Sequence, residues 1–204
     1  MNLRNIYNGA AFRRRRYECI CELLQISPAD RVLDVGCGCG LSFEAFNDGN
    51  KIVGVDFRRG YSAKNFSFVA ADAERLPFLT RSFDVVVSIG CLEHISPIGK
   101  LDTCIAEIDR VGRQGAVVVP CITTPLEPHF SQPFWQLRGY ANRLRRAGDT
   151  LGFEVGGSHE RLNYMADDSW LNFGGFRVWK TKRYWHIPGL ISNLVIYKRL
   201  DGIR

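Results

Sequence analysis

An apolar run, Arg31–Val35, empties into Asp34-Val35-Gly36-Cys37-Gly38-Cys39-Gly40, with glycine at every second position from Gly36. Glycine takes positive φ without penalty and lets backbone close on a ligand. A strand followed by this spacing therefore commits the chain to a tight, ligand-facing turn. Related features recur downstream: Lys51–Val55 ends at Asp56, Phe66–Ala70 ends near Asp72, Phe83–Ile89 runs into Gly90, and Ala116–Val119 is closed by Pro120. Apolar strands separated by helical stretches imply a parallel sheet covered on both faces. Ligands of such sheets sit at the carboxyl ends of the strands, where the topology switches direction. Loops are polar in general, but that does not explain acidic groups closing three consecutive strands.

The residues around the glycine turn narrow the ligand. A dinucleotide fingerprint G-x-G-x-x-G would need glycine at 41 or 43, where Leu41 and Phe43 stand, and no G-x-x-x-x-G-K-[ST] occurs. A carboxylate at Asp34 repels a pyrophosphate and suits a cationic amino group, with which it makes a charge-assisted hydrogen bond. S-adenosyl-L-methionine carries such a group and a positive sulfonium. Asp56, 22 residues after Asp34, is placed to accept both ribose hydroxyls. Phe57 can pack on adenine, Asp72 can accept from its exocyclic amine, and the Ala73 N–H suits a ring nitrogen. The set describes a pocket for an aminoacyl-like adenosine without phosphate.

In order along the chain, V-L-D-V-G-C-G-C-G, I-V-G-V-D-F, A-D-A-E-R-L-P-F and S-F-D-V-V-V-S-I-G-C-L-E-H-I resemble the successive motifs of class I S-adenosylmethionine-dependent methyltransferases. They are most similar to the type 11 family, which includes quinone-biosynthesis C-methyltransferases. I-A-E-I-D-R-V-G-R-Q-G-A-V-V-V-P resembles that family's next helix and fifth strand, and Leu171–Gly175 with Leu194–Tyr197 its last helix and closing strands. The resemblance implies a three-layer Rossmann-like α/β sandwich. Its sheet would be seven-stranded and mostly parallel, with helices on both faces and an antiparallel C-terminal strand. It implies that Asp34, Gly36, Cys37 and Gly38 hold the methionine moiety of the donor. Asp56 would hold the ribose, Asp72 and Ala73 the adenine on which Phe57 can pack, and Ser88 to Cys91, Ile89 among them, would line the methyl-donor end. About nine residues separate Asp56 from the third strand, fewer than a full crossover helix needs.

Methyl transfer is an in-line displacement at an already activated sulfonium methyl, so proximity and alignment carry most of the catalysis. A general base is needed only where the acceptor must lose a proton. His94, beside Glu93 just past the fourth strand, is the best-placed base, or else a polar cap on its loop. Residues 121–165 follow the fifth strand, where a substrate lid is expected. There Phe134, Leu137, Tyr140 and Leu144 recur at helical steps, so the segment reads as a lid, as a helix packing an aromatic face, or as both. His129, Trp135 and Tyr140 are its acceptor-binding candidates, and His159 is a weaker base.

At 204 residues the chain suits one domain. It divides into an N-terminal helical segment (1–29), a donor-binding core (30–120), the lid (121–165), and a last helix with closing strands (166–204). Ile20, Leu23, Leu24 and Ile26 mark the apolar face of the first helix, which Ser27-Pro28 is expected to end. The sequence has no apolar run of membrane-spanning length and no secretory h-region at its start. The seven cysteines lack zinc-ligand spacing and read as free thiols of a reducing cytoplasm. Net charge is +6, and residues 138–204 hold 12 Lys/Arg against 6 Asp/Glu. That excess is a solvated face or a contact to an anionic partner, and the run Arg13–Arg16 is a solvated helix face or contacts an acidic partner or the donor's carboxylate. The expected function is methylation of a small-molecule or lipid-like acceptor, with peripheral membrane contact open. An RNA methyltransferase and a non-catalytic donor-binding protein are the alternatives.

Overall fold

The computed structural model describes residues 10–38, 40, 50–57, 66–95, 97, 99–121, 123–127, 132–133, 151–155, 158–164, 167–189 and 191–200. Its centre is a seven-stranded sheet. In chain order the sheet strands are β1 (Arg31–Val35), β2 (Lys51–Asp56), β3 (Phe66–Ala70), β4 (Phe83–Ile89) and β5 (Gly112–Pro120). Four further strands pair in twos, β6 (Leu126–Glu127) with β7 (Gln132–Pro133) and β8 (Leu151–Val155) with β9 (Ser158–Tyr164). The sheet is completed by β10 (Lys180–Ile187) and β11 (Ile191–Lys198), in spatial order β10-β11-β5-β4-β1-β2-β3. β3, β2, β1, β4 and β5 run parallel; β11 is antiparallel to both β5 and β10. The direction switches between β1 and β4, as expected of a doubly wound sheet.

Successive residues of the strands feed opposite faces. Val32, Val85, Val87, Ala116, Val118 and Val195 pack beneath helix α1 (Ala10–Leu24), whose Tyr17, Ile20 and Leu24 are buried against them. Leu33, Val35, Val86, Val117, Val119, Leu194 and Ile196 face the other way, onto Leu101, Ile105, Ile108 and Val111 of helix α2 (Gly99–Val111). Full burial of each such aliphatic side chain contributes roughly 1.5–3 kcal/mol before the entropy of ordering it. The expected three layers, with helices on both faces and an antiparallel closing strand, are present.

Three local expectations move. α1 ends at Leu24, ahead of Ser27-Pro28, because Gln25 takes a left-handed φ of 53° and Ile26 N–H bonds back to the Cys21 carbonyl at 3.0 Å. The fifth strand starts at Gly112 directly behind α2, several residues before Ala116, and includes Pro120. The expected last helix is two short 3-10 turns, Asp167–Asn172 and Gly174–Phe176. Gly175 lies so close to the Ile105 backbone of α2 that a Cβ would collide with it, which lets Trp170 and Phe176 bury completely.

Candidate active site at the carboxyl edge of the sheet

The glycine turn grows out of β1 because its backbone is bonded to the neighbouring strand. Gly36 and Cys37 both donate to the Val55 carbonyl, at 2.8 and 3.1 Å. Gly36, Gly38 and Gly40 sit at φ of 79°, 53° and 77°. A Cβ on Gly36 would run into the side chain of Cys91, whereas nothing stands within 4 Å of one on Gly38. Gly36 is therefore where two strand ends close together, and Gly38 is the open lip. Asp56 ties the lip down, its Oδ2 accepting the Gly38 N–H at 3.0 Å, and its carbonyl accepts the Ala71 N–H at 3.2 Å.

Around this lip the expected donor residues come together. Asp34 is buried in β1, and Phe57 is 74% exposed beyond β2. Asp72 is exposed and its Oδ1 accepts the Glu74 N–H at 3.0 Å, beside half-buried Ala73. Ser88 is buried, its hydroxyl donating to the Val35 carbonyl at 2.9 Å, so it locks β4 to the end of β1. Ile89 is half-buried, and Gly90, at φ 68°, donates to the Val118 carbonyl at 3.0 Å. Cys37 is buried against Gly54.

Cys91 reports the electrostatics of the pocket. Its thiol is pushed far above the ordinary cysteine range, chiefly by burial and then by the charge of Glu93, with Asp34 and Asp56 adding to it. Three carboxylates thus act on one point between β1 and β4. The thiol there stays protonated at neutral pH and is not a nucleophile. A cationic sulfonium and ammonium fit that field, and a pyrophosphate does not.

The turn Leu92–His94 follows. Glu93 in it is buried and His94 exposed, and strand β9 lies against it. His129, Trp135 and Tyr140 fall outside the described residues, as do Cys39 and residues 134–150.

Sequence reasoning missed the device that shapes the loop after β3, because its partners lie 31 to 34 residues away. Glu107 on α2 accepts the Leu76 N–H at 2.8 Å and holds Arg110 at 2.6 and 2.7 Å. Arg110 in turn donates to the Phe78 and Leu76 carbonyls at 2.8 and 3.1 Å. Lys100 pairs with Glu74 at the other end of the loop. Arg110 holds the Glu107 carboxyl below its usual range, which burial alone would raise. Glu107→Ala leaves the Leu76 amide without its acceptor and the Arg110 guanidinium without its counter-charge, held only by the Phe78 and Leu76 carbonyls. We expect it to lose ~1–3 kcal/mol in urea denaturation, with Glu107→Gln recovering part.

The strand order, with a glycine turn facing acidic strand ends, defines the Rossmann-like class I methyltransferase fold. A profile of the methyltransferase domain matches residues 33–119. The demethylmenaquinone methyltransferase of Mycolicibacterium gilvum is 31% identical over 169 residues, which span 79% of this chain and 67% of that protein. Its namesake from Mycolicibacterium vanbaalenii is 32% identical over 72% of this chain and 63% of its own length, so the chain spans less than two thirds of that relative. Among solved structures, an S-adenosylmethionine-dependent methyltransferase of Methanosarcina mazei superposes with a TM-score of 0.64 at 17% identity, over 89% of this chain and 97% of that one. A 1,6-didemethyltoxoflavin-N1-methyltransferase of Burkholderia thailandensis, bound to its substrate and S-adenosylhomocysteine, also gives 0.64 at 17% identity, over 95% and 80%. At such identities the likeness is one of fold. The chain belongs to the S-adenosylmethionine-dependent methyltransferase family that includes the demethylmenaquinone methyltransferases.

Proposed function

We propose that this protein transfers a methyl group from S-adenosyl-L-methionine to a small, lipid-like acceptor, of which a demethylated quinol ring is the leading example. The observation that carries the reading is the convergence of Asp34, Asp56 and Glu93 on the Cys91 thiol, behind a glycine lip open at Gly38. When bound, the donor supplies an activated methyl on a positive sulfur. The chain's own residues bind and align. Asp34, Gly36, Cys37 and Gly38 would take the amino-acid end, Asp56 the ribose and Phe57 the ring face. Asp72 and Ala73 would take the adenine edge, and Ile89 would wall the reacting end, with Ser88 holding β4 in register. His94, exposed on the turn behind β4, would take a proton from an acceptor that must lose one.

Residues 121–165 would form the acceptor lid within a single domain, with His129, Trp135 and Tyr140 lining it. The position of β9 against the turn Leu92–His94 supports this. The names of the relatives support a quinol-like acceptor. Cys91 and Cys104, which form no disulfide, suit a reducing, cytoplasmic setting. Among the described residues, no helix is long and apolar enough to cross a membrane. Contact with a lipid phase would therefore be peripheral, at the side from which the acceptor enters.

Calorimetric titration with S-adenosylhomocysteine tests the donor site, with NAD as control. We expect roughly micromolar affinity for the first and none for the second. Radiolabelled transfer to a demethylated naphthoquinol with a short side chain tests the acceptor. Binding of NAD, or donor binding with no transfer to any quinol, overturns the corresponding half of the reading.

A further inference from the structure

Two charge features distant in sequence meet at one corner of the molecule. The Gln114 amide near the start of β5 donates to the Leu24 carbonyl at 3.2 Å. That contact anchors the last turn of α1 at the amino edge of the sheet and sends its N-terminal turns toward the carboxyl edge. Arg14 and Arg15 are therefore exposed on the donor-site side, with Arg16 half-buried behind them. The α1 carboxylates, Glu18 and Glu22, lie successively farther down the helix, and Glu18 pairs with Arg14 at 3.1 Å.

The second feature is β10, which contacts α1 and forms one side of the sheet. It carries Lys180, Lys182 and Arg183 and no acidic residue. The charges of Arg16 and Arg15 are felt at His186, and those of Lys182 and Glu22 at Cys19, while Glu18 and Glu22 also act on Tyr184, so α1 and β10 lie within electrostatic reach with cations in excess. Lys182 pairs with Val195 and shares the α1 face; Arg183 pairs with Leu194 and flanks the strand from the other face.

The corner also has an apolar tip. β10 and β11 meet at a hairpin whose Trp185 and Ile187 are each 37% exposed, followed by exposed Pro188 and Gly189. β11 returns antiparallel to β5, with Asn193 opposite Pro120. The tip therefore points the same way as the carboxyl ends of β4 and β5. Arg183 lies over the Trp185 ring, 5.5 Å from its centroid, and donates to Thr123 Oγ1 at 2.5 Å. A cation stacked on an indole, next to an aliphatic residue and a turn, forms an amphipathic tip: apolar at the point and positive at the flanks. Tryptophan favours the membrane–water interface, and basic residues near an anionic leaflet each add to attraction.

We infer that the α1–β10 corner, with Trp185 and Ile187 at its tip and Arg15, Lys182 and Arg183 around it, docks the protein on an anionic lipid bilayer. The docked protein would turn the carboxyl edge of the sheet, and with it the donor pocket, toward the lipid phase. A lipid-like acceptor would then reach the pocket without crossing water, and in this respect the inference rests on the function proposed above. Charge complementarity selects the occupant. A neutral protein partner would need only the apolar tip, and nucleic acid would need only the cations.

Sedimentation of the full chain with vesicles of phosphatidylglycerol and phosphatidylcholine, against vesicles of phosphatidylcholine alone, tests it. We expect binding to the anionic vesicles only, weakened at least ~10-fold by Arg15→Glu with Lys182→Glu. Trp185→Ala with Ile187→Ser should weaken it several-fold at unchanged salt dependence. Both double variants should keep wild-type affinity for S-adenosylhomocysteine, which shows that they are folded and that the donor site is intact. No sedimentation, or sedimentation equal in wild type and both variants, overturns the docking surface while leaving the donor-site reading standing. Binding to single-stranded RNA that the charge variant abolishes, without vesicle binding, overturns it in favour of a nucleic-acid surface. Vesicle binding in a protein that takes no S-adenosylhomocysteine sinks the functional reading instead.

Discussion

Gly36→Ala is expected to remove donor binding and to destabilise the fold by ~2–5 kcal/mol. Two costs add. At φ 79° a side chain costs ~1–2 kcal/mol in backbone strain. The added Cβ would also fall inside the contact distance of Cys91 Sγ and Cβ, and overpacking of this kind costs ~1–3 kcal/mol. Relief requires the turn to leave the Val55 carbonyl or β4 to leave β1, and either move displaces the lip that Asp56 holds. Gly38→Ala is the control: its φ is 53° but a Cβ there meets nothing, so only the strain term should appear. Urea denaturation and calorimetry with S-adenosylhomocysteine check both variants. Equal effects of the two would mean that Cys91 does not back the turn.

Acidification should expose the second large effect, at His186. This imidazole is buried in β10, bonded to Asn193 Oδ1 at 2.6 Å and packed edge-on against Tyr184. Burial first, with the charges of Arg16 and Arg15, lowers its pKa from 6.5 to about 4, against the opposing bond that Asn193 Oδ1 accepts. The folded-state value is depressed, so above pH 6.5 both states are neutral and the group contributes nothing. As pH falls through 6.5 the unfolded chain takes a proton that the folded one refuses. Stability then declines until the folded group titrates near pH 4. The total loss attributable to His186 is ~3 kcal/mol. His186→Gln should flatten the difference curve between pH 6.5 and 4 relative to wild type, whatever carboxylates do in parallel. A wild-type curve parallel to that of the variant would place His186 in solvent.

Much of the architecture could be read from local pattern. Runs such as Val85–Val87 and Val117–Val119 announce strands buried on both faces, and Leu101, Ile105 and Ile108 announce one face of a helix. Both signals arise from periodicities that the backbone imposes within a few residues. The strand-end acids were legible for the same reason, since each follows an apolar run directly. Chain termination was less legible: α1 stops at Gln25, a non-glycine residue at φ 53°, before Ser27-Pro28. Gly175 marks a close approach to the Ile105 backbone of α2 that no local period encodes.

By itself, then, the sequence determined the parallel strands of the sheet, the glycine turn after the first and the acids that close its neighbours, because strand formation and turn chemistry depend on neighbours in the chain. Tertiary structure decided what depends on residues far apart. It set the clamp of Glu107 and Arg110 on the loop at Leu76–Phe78 and the burial of Glu93 beside exposed His94. It also seated the Asp109 carboxylate against Trp179 Nε1 at 2.9 Å, 70 residues away. The arginines near the N-terminus and the lysines near the C-terminus share one corner for the same reason. Electrostatic and hydrogen-bonding partners are chosen by distance in space, and only the assembled sheet, with β11 returning antiparallel beside β5, brings those groups within reach.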